Sequence, residues 1–181
     1  MEFIETPFSG LWIIKHKQII DERGYFTRTF CQNEFKQIAF KKNIVQINQS
    51  YNKERGTIRG LHFQLPPFSE YKLIRCIHGS VFDVAVDLRK YSSTLLQYFS
   101  LELNSNNMLS ILIPEGFAHG FQTLEDNSTL LYHHTEFYTP GYDTGIRYDD
   151  PRLQISWPLA PKNLSPRDLS HHFIEENFNG L

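Results

Sequence analysis

Lys72-Leu73-Ile74-Arg75-Cys76-Ile77, His78-Gly79-Ser80, Val81-Phe82-Asp83-Val84-Ala85-Val86-Asp87-Leu88 is the stretch from which the fold is read. Two apolar, β-branched runs flank a short connection that contains a glycine, the pattern of a β-hairpin. Downstream, Tyr98 to Leu103, Leu109 to Pro114, Gly120 to Leu124 and Thr129 to His134 repeat the strand signal. Their spacing of about 8 to 12 residues is that of a sandwich or barrel. Upstream, residues 10 to 15 and 18 to 20 read as a strand pair entering the turn Asp21-Glu22-Arg23-Gly24, with Tyr25 to Phe30 extended beyond it.

Helical signals are few. Gln32 to Phe40 reads as one short helix, because Phe35, Ile38 and Ala39 fall at i, i+3 and i+4. Ser165-Pro166-Arg167-Asp168 opens a C-terminal helix, with serine at the N-cap, proline behind it and an acid three residues on. No linker, repeat or low-complexity tract divides the chain, so residues 1–181 are expected to form a single all-β domain with short peripheral helices. Aromatic residues make up 14% of the sequence, which also favours sheet over helix.

A net charge of −2 offers no general attraction to nucleic acid or to an anionic membrane, so any anion site must be local. Cys31 and Cys76 have neither metal spacing nor a disulfide framework and are expected to be buried thiols in a reducing compartment. No charged-then-apolar leader opens the sequence, and no apolar run nears the roughly 20 residues that span a bilayer. The expectation is a soluble, cytoplasmic protein.

Chemistry concentrates in two places. Arg59-Gly60-Leu61-His62-Phe63-Gln64 and Lys72 put two cations and a histidine within one hairpin's reach, and Pro114-Glu115-Gly116-Phe117-Ala118-His119-Gly120-Phe121 delivers a second histidine after a turn. Cations that bind an anion and histidines that move a proton describe an active site. The segment Val45-Gln46-Ile47-Asn48-Gln49-Ser50 alternates strictly, which puts Gln46, Asn48 and Ser50 on one face. That face lines a cavity or meets solvent.

These motifs, together with Asp21-Glu22-Arg23-Gly24-Tyr25-Phe26, Asp83-Val84-Ala85-Val86-Asp87-Leu88-Arg89 and Ile155-Ser156-Trp157-Pro158, stand in an order that resembles the dTDP-4-dehydrorhamnose 3,5-epimerases of nucleotide-sugar biosynthesis. The resemblance runs from about Asp21 to Asp168. It implies a cupin-type jelly-roll barrel, a homodimer, no metal or other cofactor, and proton abstraction beside the C4 ketone of a dTDP-linked 4-keto-6-deoxyhexose. Such a reaction serves deoxysugar and cell-surface polysaccharide synthesis.

Inverting a carbon next to a ketone needs a base on one face, a stabiliser for the enolate oxygen and an acid on the other face. His62 is the candidate base, since an imidazole with an ordinary pKa of about 6.5 accepts protons near neutrality. The resemblance pairs it with Asp168, which would fix its tautomer. Lys72 would meet the enolate oxygen, Tyr132 would return the proton, and His119 would donate near the sugar oxygen. For binding, Arg23 and Arg59 are candidates for the diphosphate, with Arg167 a further contact. Tyr138 would stack on the base, Gln46 and Asn48 would supply amide hydrogen bonds, and Phe26, Arg28 and Asp143 lie near the ligand.

Three departures from the family pattern stand out. Arg28 occupies a position where glutamate is common, Asp143 replaces a longer glutamate, and Glu70 stands where glutamine is frequent. They leave the nucleotide, the sugar and the number of inverted carbons open, a C3-only epimerase included. A metal-dependent cupin and a non-catalytic sugar-binding cupin are the other readings. The first lacks a His-x-His pair with a later glutamate near His62, and the second has no need of base, acid and enolate stabiliser together.

Overall fold

Alternation along strands decides what this barrel holds. The computed structural model describes residues 1–181 and contains, in chain order, β1 (Glu2–Glu5), β2 (Trp12–Lys15), β3 (Gln18–Asp21), β4 (Gly24–Thr27), α1 (Gln32–Phe35) running into a 3-10 turn (Lys36–Ile38), β5 (Gln46–Asn52), β6 (Ile58–Gln64), β7 (Lys72–His78), β8 (Ser80–Asp87), β9 (Tyr98–Asn104), β10 (Leu109–Ile113), β11 (Phe117–Thr123), β12 (Ser128–His134), β13 (Asp143–Gly145) and α2 (Pro166–Ser170). A six-stranded sheet, β1-β2-β10-β7-β12-β5, faces a five-stranded sheet, β13-β6-β11-β8-β9. All strand pairs are antiparallel. This is the cupin-type jelly roll that the resemblance implies.

Both expected strands form, but not as a hairpin: β7 and β8 are neighbours in sequence that belong to different sheets, β7 pairing with β10 and β12, and β8 with β11 and β9. Each strand is buried on both faces. Ile74, Cys76, Val81 and Ala85 meet Leu103, Ile111, Ile113, Phe117, Phe121 and Leu130 between the sheets. From the same strands, Leu73 joins Ile14, Phe35, Phe40 and Leu112 outside one sheet, while Val84 and Val86 join Leu61, Phe63, Ala118, Ile146 and Leu153 outside the other. The apolar residues between the sheets close one end of the barrel. Polar ones further along β5, β6, β7, β11 and β12 leave the other end open.

Four expectations at the level of elements are corrected. Residues 10 to 15 and 18 to 20 do not pair with each other. Both edges of β2 are taken, by β1 and β10, so β3 pairs forward with β4 as a separate two-stranded hairpin. The helix expected to Phe40 stops early: Lys36–Ile38 tighten to 3-10 geometry and Ala39 turns left-handed at φ 57°, leaving only α1 as α-helix. Strand β11 starts at Phe117, so His119 sits inside a strand and not at the end of a turn. Cys31 is only half-buried; Cys76 is fully buried, and neither is in a disulfide.

Candidate active site

The open end of the barrel holds a cavity of about 310 Å³ lined by residues of both sheets. From the six-stranded sheet come Gln46, Asn48 and Ser50 on β5, Tyr132 and His134 on β12, and Lys72 on β7; from the other come His62 and Gln64 on β6 and His119 and Phe121 on β11. Thus the alternating polar face of β5 lines a cavity, while its apolar face, with Val45 and Ile47, is exposed. A second groove, lined by Tyr51, Lys53, Thr57, Asn163 and Ser165 among others, shares Arg59, His62 and Arg167 with the cavity and continues it to the surface.

His62 owes its placement to a close crossing of backbones. Gly60 sits at φ +128°, and a Cβ there would lie 2.5 Å from Gly120 Cα. The β6–β11 register slips at this crossing, so His119 faces His62 while Phe121 faces Arg59. From α2, Asp168 reaches His62 Nε2 with Oδ1 at 2.8 Å and accepts from the Gly60 N–H with Oδ2 at 3.2 Å. Its own N–H donates to the N-cap Ser165 Oγ at 3.0 Å. The five-residue helix therefore delivers a buried carboxylate to the histidine, and it carries Arg167 beside it. Burial alone would push the Asp168 carboxyl up, but the hydrogen bond and charge of His62 and the Gly60 N–H outweigh it and hold the group below the usual carboxylate range.

Across the cavity the Tyr132 hydroxyl shares a 2.8 Å hydrogen bond with Ser50 Oγ. Burial raises its pKa far above that of a free tyrosine, so it stays protonated as an acid must. Lys72 is buried, unlike the ordinary strand-end lysine, and its Nζ donates to the His62 carbonyl at 3.1 Å and faces Glu70 at 3.4 Å. His119 Nε2 contacts Asp83 Oδ2 at 2.9 Å, a second histidine–carboxylate pair between the sheets. His62, Lys72 and Tyr132, the candidate base, cation and acid, thus line one cavity from two facing sheets.

Among the candidates for binding, Gln46, Asn48, Arg59, His119, Tyr138, Asp143 and Arg167 all line that cavity. Arg59 Nε donates to Asn52 Oδ1 at 2.7 Å, Arg167 pairs with Asp143 at 2.5 Å, and the Tyr138 N–H donates to Gln46 Oε1 at 3.1 Å. Arg23, Phe26 and Arg28 stand elsewhere. Arg23 pairs with Asp21, Arg28 with Glu34 at 2.7 Å, and Phe26 is 66% exposed on the β3–β4 hairpin. One chain therefore does not gather these three with the other site residues.

Several residues in or next to the cavity escaped the reading of the sequence. Asp83 was foreshadowed by an acid standing between valine and phenylalanine in an apolar strand, and His134 by its place two residues from Tyr132. Gln64 had no such signal. His171, with its ring centroid 5.7 Å from that of His62, joins His62 and Asp168 in the one cluster with metal-ligand chemistry. Its fit to a metal is poor. With bonds of about 2.1 Å, two ligand atoms on a tetrahedral ion stand about 3.4 Å apart, whereas His62 and Asp168 touch at hydrogen-bond distance.

The family profile described as dTDP-4-dehydrorhamnose 3,5-epimerase matches residues 5–176. The chain belongs to the dTDP-4-dehydrorhamnose 3,5-epimerase family. It is 46% identical to the dTDP-4-dehydrorhamnose 3,5-epimerase of Methanothermobacter thermautotrophicus, over 97% of this chain and 95% of that one. The crystal structure of the Bacillus anthracis enzyme of the same name, with TDP and PPi bound, superposes with a TM-score of 0.93 at 37% identity, covering 96% of this chain and 99% of the other. The Legionella pneumophila epimerase in complex with dTDP-4-keto-L-rhamnose gives 0.90 at 37% identity, covering 95% and 92%. No helix is long and apolar enough to cross a membrane.

Proposed function

We propose that this chain is a cytoplasmic isomerase that inverts C3 and C5 of dTDP-4-dehydro-6-deoxy-D-glucose, giving dTDP-4-dehydro-L-rhamnose for deoxysugar synthesis. The observation that carries the reading is a carboxylate-held His62 on one sheet and a neutral Tyr132 on the facing sheet, with Lys72 lining the same cavity. His62 removes the proton from the carbon next to the ketone, and the electron pair moves to O4. The enolate oxygen is met by Lys72 and His119. Tyr132 returns a proton to the opposite face; solvent then takes the proton from His62 and restores that of Tyr132, and the sequence repeats at the second carbon. The Asp168 carboxylate holds the imidazole in one tautomer and stabilises the imidazolium that forms.

Arg59 and Arg167, where the cavity meets the outer groove, suit the diphosphate; Tyr138 stacks on the nucleobase, and Gln46, Asn48 and Asp143 hold polar groups of the ligand. Arg23, Phe26 and Arg28 are assigned to the same ligand, but to that bound by a second copy of the chain. Their hairpin exposes Ile19, Ile20, Tyr25 and Phe26, an apolar surface that pairing in a homodimer covers.

Incubation with the 4-keto sugar nucleotide in deuterated water, read by mass spectrometry, tests the assignment. Two deuterons incorporated into the sugar, lost in His62→Ala while substrate binding persists, are expected. One deuteron would make the enzyme specific for a single carbon, and none would remove this substrate.

A further inference from the structure

Beside Lys72, the cavity wall carries a third histidine–carboxylate pair that the epimerisation steps do not use. His134 Nδ1 lies 2.7 Å from Glu70 Oε2, Glu70 Oε1 lies 3.4 Å from Lys72 Nζ, and His134 Nε2 lies 3.3 Å from Asn48 Nδ2. Register builds the row, since His134 stands opposite Lys72 on one side and Gln46 on the other. His134, Lys72 and Glu70 are nearly inaccessible to solvent, and the His134 ring stacks on that of Tyr132 at 6.2 Å and 20°.

With the His134 ring neutral, the bonding order along this row follows from counting hydrogens. A carboxylate only accepts, so Nδ1 of His134 carries the hydrogen that points at Glu70. Nε2 of the neutral ring is then an acceptor and takes a hydrogen from the Asn48 amide nitrogen. The Asn48 carbonyl oxygen is left for the cavity. Lys72 gives one hydrogen to the His62 carbonyl and turns its charge toward Glu70.

We propose that Glu70 and His134 are positioning residues that lock the Asn48 amide with its oxygen toward the cavity, so that this wall selects a substrate hydroxyl acting as a hydrogen-bond donor. The selection of that hydroxyl rests on the epimerase reading; the lock itself does not. Glutamine at position 70 would reverse the order. An amide has one acceptor, which the Lys72 ammonium takes, so its NH2 would face His134 Nδ1. The ring would then carry its hydrogen on Nε2, and Asn48 would have to turn its oxygen toward it and present NH2 to the ligand.

Histidine 15N NMR reads the tautomer directly, with the His134 signal assigned by its loss in His134→Asn. The wild type is expected to show the Nδ1–H form at neutral pH and Glu70→Gln the Nε2–H form. In kinetics, Glu70→Gln should raise KM about tenfold, with a smaller change in kcat. Because the amide is the shared element, the KM effects of Glu70→Gln and Asn48→Ala should not add in the double variant. A wild-type Nε2–H form or imidazolium, an unchanged tautomer in Glu70→Gln, or additive effects on KM would overturn the proposal. The NMR result holds whether or not the protein turns over the dTDP sugar, so loss of the epimerase reading would be seen separately.

Discussion

The Nζ of Lys72 donates to the main-chain oxygen of His62 at 3.1 Å, which ties the cation proposed for the enolate to the residue proposed as the base. Two facing sheets contribute one residue each, so their spacing sets the distance between proton removal and charge stabilisation. A site built on strands keeps that distance better than one built on loops.

Replacing Lys72 by methionine keeps the stem and removes the charge. The expected loss in kcat is about 10²- to 10³-fold, the scale of one oxyanion donor, with KM little changed. Glu70 would be left buried with only His134 as partner, so the same variant should also lose about 3 kcal/mol of stability. Steady-state kinetics and urea unfolding separate the two effects; an unchanged kcat in folded protein would remove Lys72 from the chemistry.

Tyr132→Phe removes the proposed acid but leaves the proposed base. Turnover to inverted product should fall about 10²- to 10⁴-fold, while His62 continues to exchange the substrate proton with solvent on its own face. The expected signature in deuterated water is label in recovered, uninverted substrate. Absence of both exchange and inversion would mean that Tyr132 holds the substrate and is not the acid.

The strands of the jelly roll and most of the cavity residues were legible because a strand buried on both faces reads as a nearly unbroken apolar run, as in Val81 to Leu88, whereas β5, polar on one face, alternates. The N-terminal pairing was not, since β3 and β4 expose Ile19, Ile20 and Phe26, and an apolar residue on the surface carries the same letter as one in the core. Asp168 had no signal of its own. An acid at the third position of a helix looks like a cap, and only its 106-residue separation from His62, closed in space, reveals a second role. Glu70 stood out as a departure, but that it pairs with His134 shows only once strand register is known.

Gly60→Ala tests the crossing that sets His62. The backbone there has a φ that side chains rarely adopt, and the added methyl would overlap Gly120. A cost of about 2 kcal/mol or more is expected, seen as a fall of roughly 5 °C in Tm. Because Asp168 binds the Gly60 N–H, kcat should fall as well. A variant as stable and active as the parent would show that the strands part easily here.

Acid sensitivity should trace in part to a histidine far from the chemistry. His16 is buried between Ser110 Oγ at 2.7 Å and the Arg28 carbonyl at 3.2 Å. Burial, and then the charge of Arg75, lower its pKa from 6.5 to about 4. The unfolded chain therefore binds this proton first as pH falls. Stability from His16 is complete above about pH 6.5, declines through the window down to about 4, and stays lost below it. His133 and His171, also lowered by burial, act in the same direction, so the His16 share must be read by difference. His16→Gln keeps polar partners for Ser110 and the Arg28 carbonyl but cannot titrate. Urea unfolding at pH 7 and pH 5 should show a smaller drop in the variant than in the parent, by roughly 1–2 kcal/mol. Equal drops would place the acid sensitivity in other groups. Asp168 and Glu70, both held below the usual carboxylate range, contribute their own losses only at still lower pH.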